Sequence, residues 1–214
     1  MKTAIAILFA GLTAASLFAQ LPAGTKPPGE DWVQIFNGKD LTGWHNVGVE
    51  KWTAEEGGVI RGKNATKNYG YLETVQTYRD FQLSLRFKCV ETGNSGVYFH
   101  TKFKPGTVDV SQGGQFEIDC NVTHHTAGVY DSIKGWLVWP APENETVIRP
   151  NDWNEYLLIV HRNRYISRLN GIQMVDFTDP NADFLDGTIA LQLHAGGGAE
   201  MLFKDIWIRD LTKR

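Results

Sequence analysis

Apolar and polar residues alternate with period two along most of this chain. From Phe81 to Cys89, the apolar positions Phe81, Leu83, Leu85, Phe87 and Cys89 are separated by Gln82, Ser84, Arg86 and Lys88. Successive side chains of a strand point to opposite faces, so this run predicts a half-buried strand. Between Gly187 and His194 the inward set is Ile189, Leu191 and Leu193; between Gln115 and Asn121 it is Phe116, Ile118 and Cys120. Residues 164–169 and 172–175 flank Asn170 and Gly171, the signal of a type I′ hairpin turn. Further strands are predicted at 32–36, 59–61, 70–74, 95–100, 127–130, 156–161 and 201–209. Trp44-His45 and the stretch from Trp136 to Arg149, with Pro140 and Pro142, read as long loops, which often wall a site. No segment carries a helical period. About twelve short strands with Gly and Asn turns predict an all-β, antiparallel sandwich.

The first residues break this pattern. Lys2 precedes an uncharged apolar stretch from Ala4 to Phe18, followed by Ala19. That is the layout of a secretory signal peptide, with cleavage expected after Ala19 and an exported, periplasmic or secreted product. The apolar run is shorter than the ~20 residues of a spanning helix. Residues 20–30, rich in Pro and Gly, read as an extended linker, and 31–214 as one domain. Net charge is −3, or −4 without Lys2, and no basic patch appears. Nucleic acid and anionic membrane are therefore poor partners. Aromatic residues make up 12% of the chain; they favour strands, and exposed ones can stack on sugar faces. Cys89 and Cys120 both fall on apolar strand faces, as buried thiols or as a bridge that an oxidising compartment permits.

The polar faces carry the candidate chemistry. With Phe116 and Ile118 inward, Gln115, Glu117, Asp119 and Asn121 line the other face at intervals of ~7 Å. Two adjacent carboxylates repel, so at least one pKa is expected to rise, as in metal or acid–base sites. On a second strand, Gln192 and His194 share the polar face and lead into Ala195-Gly196-Gly197-Gly198. A third, 95–100, sets Gly96, Tyr98 and His100 on one face; a fourth pairs Gly128 with Tyr130. Tyr98 and Tyr130 are possible sugar platforms. If these strands are neighbours, their polar faces form one concave wall. His124-His125 reads as a solvated turn.

Taken in order, the motifs resemble a known family. They begin with Phe36-Asn37-Gly38-Lys39-Asp40-Leu41-Thr42-Gly43-Trp44, Gly57-Gly58-Val59-Ile60 and Tyr78-Arg79-Asp80-Phe81. Gly93-Asn94-Ser95-Gly96-Val97, the Glu117 strand, Gly128-Val129-Tyr130 and Asp152-Trp153-Asn154 follow. Leu169-Asn170-Gly171, Leu191-Gln192-Leu193-His194 and Phe203-Lys204-Asp205-Ile206 complete the series. The series, from Trp32 to Leu211, is similar to the 3-keto-disaccharide hydrolase domain family. The resemblance implies a concanavalin-like jelly roll of the lectin/glucanase type. It also implies cleavage of glycosides oxidised to a ketone at C3: loss of the acidic C2 proton, then elimination at C1, with hydration able to follow. A cation would stabilise the enolate. On that basis His194 is expected as base, with Glu117 and Asp119 as ligands of a divalent metal ion and His100 as a nitrogen ligand. The roles of Glu117 and His194 can also be exchanged. Tyr98, Tyr130, Gln192 and Asn94 are expected to bind substrate. The chain departs from the family where His100 stands for a frequent Arg, and where Glu117-Ile118-Asp119 replaces a frequent Glu-x-Gln.

Two other functions compete. A non-catalytic carbohydrate-binding module needs aromatics and amides but no clustered titratable groups, which disfavours it modestly. A laminarinase-type retaining glycosidase resembles Glu-x-Asp-x-x-Glu, but the third acid would fall on Val122.

Overall fold

The computed structural model describes residues 24–90, 93–121 and 125–212. The expected signal peptide, 1–19, lies outside them. Strands in chain order are β1 Trp32–Gln34, β2 Trp44–Val47, β3 Lys51–Glu55, β4 Val59–Lys63 and β5 Gly70–Thr74. They continue as β6 Phe81–Cys89, β7 Asn94–Phe103, β8 Val110–Asp119, β9 Val129–Asp131 and β10 Gly135–Val138. The last are β11 Asn154–His161, β12 Arg164–Leu169, β13 Ile172–Thr178, β14 Thr188–Leu193 and β15 Glu200–Asp210. A short 3-10 helix of about two turns, Pro142–Val147, is the helical element among the described residues.

The strands form two antiparallel sheets. One runs β13-β12-β11-β6-β15-β4-β3, with β1 also paired to β15; the other runs β10-β9-β8-β7-β14-β5-β2. This is the expected jelly-roll sandwich. The period-two faces read from sequence meet between the sheets. Leu83, Leu85 and Phe87 of β6, Tyr156 and Leu158 of β11, and Phe203 of β15 pack against Phe99 of β7, Phe116 and Ile118 of β8, and Leu191 of β14. Each such side chain contributes roughly 1.5–3 kcal/mol on leaving water.

Three links cross this core, one to β8 and two to residues beside β8 and β9. The Tyr156 hydroxyl donates to the Glu117 carbonyl at 3.0 Å, and Ser167 Oγ donates to the Ala127 carbonyl at 2.6 Å. Cys89 and Cys120 form a disulfide, with Cα atoms 6.3 Å apart, joining the end of β6 to the residue after β8. Of the two readings open for the cysteines, the bridge is the one found.

The sequence pattern misses β2, β3 and β10. All three are sheet edges. An edge strand has one neighbour and less to cover it, so its burial does not alternate cleanly: β2 reads buried-exposed-exposed-buried and every residue of β10 is half-buried. The two expected loops are therefore corrected. Trp44 belongs to a strand paired with Thr74, its indole donating to the Ile35 carbonyl at 2.9 Å. Trp136 pairs with Tyr130, and only the residues beyond Val138 leave the sheet.

Candidate active site

The outer face of the second sheet bounds a cavity of about 690 Å³. That lies within the roughly 300–1,000 Å³ typical of sites that enclose a drug-sized ligand. The strands β8, β7 and β14 are neighbours, so the adjacency on which the concave wall depends is present. Glu117, Asp119, Gln192, His194, Tyr98, Tyr130 and Asn94 all line this one cavity.

The register explains the convergence. Asn94 faces Asp119, Gly96 faces Glu117, and Tyr98 faces Gln115 across the β7–β8 ladder; Gln115 in turn faces Tyr130 of β9. Gly96 leaves the room for this arrangement. A Cβ at that position would stand 2.6 Å from the Gln115 side chain, which lies across the glycine so that Nε2 donates to Glu117 Oε2. Asn94 Nδ2 donates to the other oxygen, Oε1, at 3.1 Å. Glu117 is 5% exposed. Burial, with Asp119 adding repulsion, pushes its carboxyl up to about 8 despite these two donors. The expected rise is thus found on Glu117. The same burial pushes the Tyr71 phenol up to about 12 and raises Tyr98 as well.

His194 follows β14 and is held from both sides. Its Nδ1 lies 2.8 Å from the Ala195 carbonyl, an acceptor only, so Nδ1 carries a proton, and in the neutral ring the lone pair falls on Nε2. The Tyr69 hydroxyl sits 3.3 Å from Nε2, with the two rings edge to face at 4.9 Å. The segment bearing Tyr69 is anchored by Glu50, which is buried and accepts from the Ala65 and Thr66 amides and from Thr66 Oγ. Burial opposes ionisation of Glu50, yet these donors hold its carboxyl below the usual range. The Gly196 amide donates to the Lys67 carbonyl at 3.0 Å and the Ala199 amide to Asn64 Oδ1 at 2.8 Å. One loop therefore positions the other.

His100 is not part of this constellation, and its expected role as a metal ligand beside Glu117 and Asp119 is corrected. It sits at φ 52° where the β7–β8 register shifts between Phe99 and Lys102. A bulge adds a residue and breaks the alternation, so the side chain leaves the polar face. The imidazole is fully buried, donates from Nε2 to the Arg79 carbonyl at 2.6 Å, and packs against Phe81, Phe99 and Phe184. Of the His124-His125 turn, His125 pairs with Glu145 at 2.8 Å, while His124 lies outside the described residues.

Cavity residues that the sequence pattern left unassigned include Tyr69, Tyr71 and Trp136, and also Lys104, Val108, Asp109, Val110 and Ser132. Tyr71 belongs to β5, while Tyr69 precedes it outside any strand, and the two rings stack with centroids 6.3 Å apart. Trp136 lies in β10, within the segment that the sequence predicts as a loop.

Oxygen acceptors dominate around the carboxylates. Glu117 and Asp119 each accept hydrogen bonds already, whereas the buried Asn94 Oδ1 and Gln192 Oε1 have no hydrogen-bond partner. Among the described residues no three His, Cys, Asp or Glu side chains cluster closely enough to hold a metal ion alone. Two carboxylates completed by amide oxygens are nevertheless a donor set that suits a hard divalent cation. A second hollow, about 430 Å³, lies on the outer face of the other sheet beneath Pro27, Pro28 and Trp32. There Arg86 is already paired with Glu155 at 2.7 Å, and no imidazole lines it.

Comparison with known proteins agrees with this architecture. A Parabacteroides distasonis protein designated a glycosyl hydrolase superposes with a TM-score of 0.65 at 23% identity, covering 85% of this chain and 94% of that one. The carbohydrate-binding module CBM66 of Bacillus subtilis superposes with a TM-score of 0.59 at 16% identity, covering 81% and 98%. A 3-keto-disaccharide hydrolase of Bacteroides thetaiotaomicron is 22% identical over 178 residues, covering 69% of this chain and 59% of the relative. The chain thus spans about three fifths of that relative's length. The decisive match runs from residue 31 to residue 209, and by it the chain belongs to the 3-keto-alpha-glucoside-1,2-lyase-like domain family.

Proposed function

We propose that the protein is an exported bacterial enzyme that cleaves 3-keto-glycosides. One observation carries this reading: an imidazole whose Nδ1 is fixed by a backbone carbonyl shares a cavity with a buried carboxylate pair. His194 Nε2 takes the proton from C2 of the sugar. The C2–H electron pair moves toward the C3 carbonyl to give the enolate. As the enolate collapses, C1=C2 forms and the C1–O bond breaks, and the departing oxygen takes up a proton. Addition of water to the resulting enone would complete a net hydrolysis. Tyr69 orients Nε2, and Tyr98, Tyr130, Gln192 and Asn94 hold the sugar. Glu117, Asp119 and Asn94 Oδ1 would hold a divalent cation, which when bound polarises the ketone and stabilises negative charge on its oxygen. The Cys89–Cys120 disulfide supports export, since such bridges persist in oxidising compartments.

The test is incubation with 3-keto-trehalose and with trehalose, with and without a chelator. Sugar release from the keto form alone is expected. His194→Ala should lose on the order of 10²–10⁴ in rate. Glu117→Ala should lose activity together with cation binding. Near-normal turnover by both variants would place the site elsewhere. Binding of sugars without turnover of any keto-glycoside would favour a binding module on the same fold.

A further inference from the structure

The hollow on the outer face of the first sheet takes no part in the reaction, yet its volume of about 430 Å³ falls in the range of small-ligand sites. Leu157 and Ile159 of β11 give it an apolar floor, and Trp32 and the buried Pro27 form the opposite wall. The Trp32 indole donates to the Pro28 carbonyl at 3.3 Å, which ties that wall to β1. Charged groups close one side. Arg86 Nη2 donates to Glu155 Oε1 at 2.7 Å. Asp205 enters from β15, where the register against β6 shifts between Lys204 and Trp207. It sits there at φ 53°, and an irregularity of this kind re-aims a side chain. Asp205 Oδ2 is buried without a hydrogen-bond partner, and Arg86 Nη1 stands 3.7 Å away, beyond direct reach.

A buried acceptor left in this state is costly, and a gap of that length is one that a bridging hydroxyl closes. Such a hydroxyl accepts from the guanidinium and donates to the carboxylate. A ligand with hydroxyls on its rim and apolar faces above and below is a neutral pyranose. With no imidazole in the hollow and Glu155 held in an ion pair, nothing there is placed to take a proton from carbon. We propose that this hollow is a second carbohydrate site, which binds unoxidised pyranosides without cleaving them, on the face opposite to the cavity. Asp205 and Arg86 hold the ring hydroxyls, and Leu157, Ile159 and Pro27 cover the ring faces. The motif Phe203-Lys204-Asp205-Ile206, which the cavity does not use, thereby acquires a role. The site anchors the protein to intact glycan whether or not the cavity turns over.

The experiment titrates trehalose into the isotope-labelled protein and follows backbone amides by NMR. Saturable shifts are expected at Ser84, Arg86, Leu157 and Asp205, apart from any at Glu117, Gln192 and His194. Asp205→Gly tolerates the positive φ and removes the acceptor, and should weaken binding at the hollow at least about tenfold, with Asp205→Asn recovering part of the loss. Ser84→Phe, which fills the hollow from β6, should abolish the same shifts, and the thermal midpoint of each variant reports its folding. Absence of shifts at the hollow up to the solubility limit of trehalose would overturn the proposal, as would unchanged affinity there in Asp205→Gly and Ser84→Phe. Saturation of the same amides by ethylammonium but not by trehalose would mark a cation site and overturn it too. Turnover of keto-glycosides is a separate assay, so the catalytic reading and this one fail independently.

Discussion

Replacing Glu117 by Gln should change the pH dependence of stability more than stability itself. The folded protein holds this carboxyl at about 8, against an ordinary 4.5, because the group is buried beside Asp119. The folded state thus binds the proton more tightly than the unfolded chain does. Below pH 4.5 both states are protonated and burial costs nothing in ionisation. As pH rises from 4.5 to 8 the unfolded chain releases the proton and the folded protein retains it, so stability falls across that window. At 1.36 kcal/mol per pKa unit the full difference is about 5 kcal/mol. The cavity opens to solvent, which screens part of it, so a swing of roughly 2–5 kcal/mol is expected. Gln cannot ionise. It can accept from only one of the two amides, Asn94 Nδ2 and Gln115 Nε2, that now donate to the carboxyl, which costs about 1 kcal/mol at any pH. Glu117→Gln should therefore be the less stable protein at pH 4 and the more stable at pH 9. Urea unfolding followed by tryptophan fluorescence at half-unit steps, with a chelator present, measures the crossover. A difference between the two proteins that stays constant with pH would refute the reasoning.

Three further outcomes follow from the geometry. Tyr69→Phe removes the hydroxyl beside His194 Nε2 and should lower kcat on a keto-glycoside by roughly two- to tenfold with an unchanged thermal midpoint; no change in kcat would show that the hydroxyl does not assist. Replacing Cys89 and Cys120 by Ala opens a loop with a sequence separation of 31, which should cost about 4 kcal/mol and lower Tm by roughly 8–16 °C in a calorimetric scan. His100→Leu should destabilise by roughly 1–3 kcal/mol, because the Arg79 carbonyl loses its donor, while calorimetric titration with Ca²⁺ or Mn²⁺ matches the unmutated protein; loss of cation binding would return His100 to the site.

The reach of sequence reasoning here follows burial. In β6 burial alternates with residue type, whereas β8 and β14 are legible because apolar residues facing the core alternate with residues facing the cavity, although both faces are buried. The same alternation assigns Glu117, Asp119, Gln192 and His194 to one side of the sandwich, where they are found. Edge strands lack the second neighbour that imposes the pattern, which hides β2, β3 and β10, and with β10 the cavity residue Trp136. His100 fails for a different reason. Counting by twos assumes an unbroken ladder, and the positive φ of an L-residue at a bulge leaves no mark in the local composition. Tyr69 lies outside any strand, and its place depends on Glu50, nineteen positions earlier, reaching across to hold its loop.

The interleaving of core and cavity residues along β7, β8 and β14 has a consequence for how such a protein can change. Val97, Phe116, Ile118 and Leu191 build the interior, while the residues between them, Gly96, Tyr98, Gln115, Glu117 and Gln192, face the cavity. Substitution on one set leaves the other in place, so new chemistry can be written on the outer face without rebuilding the inside. An insertion or deletion of one residue does the opposite, exchanging both sets at once. Evolution within this architecture is therefore free in letters and rigid in spacing. A library that randomises Tyr98, Gln115 and Gln192 should yield mostly folded proteins with altered ligands, whereas one-residue deletions in β8 should yield almost none.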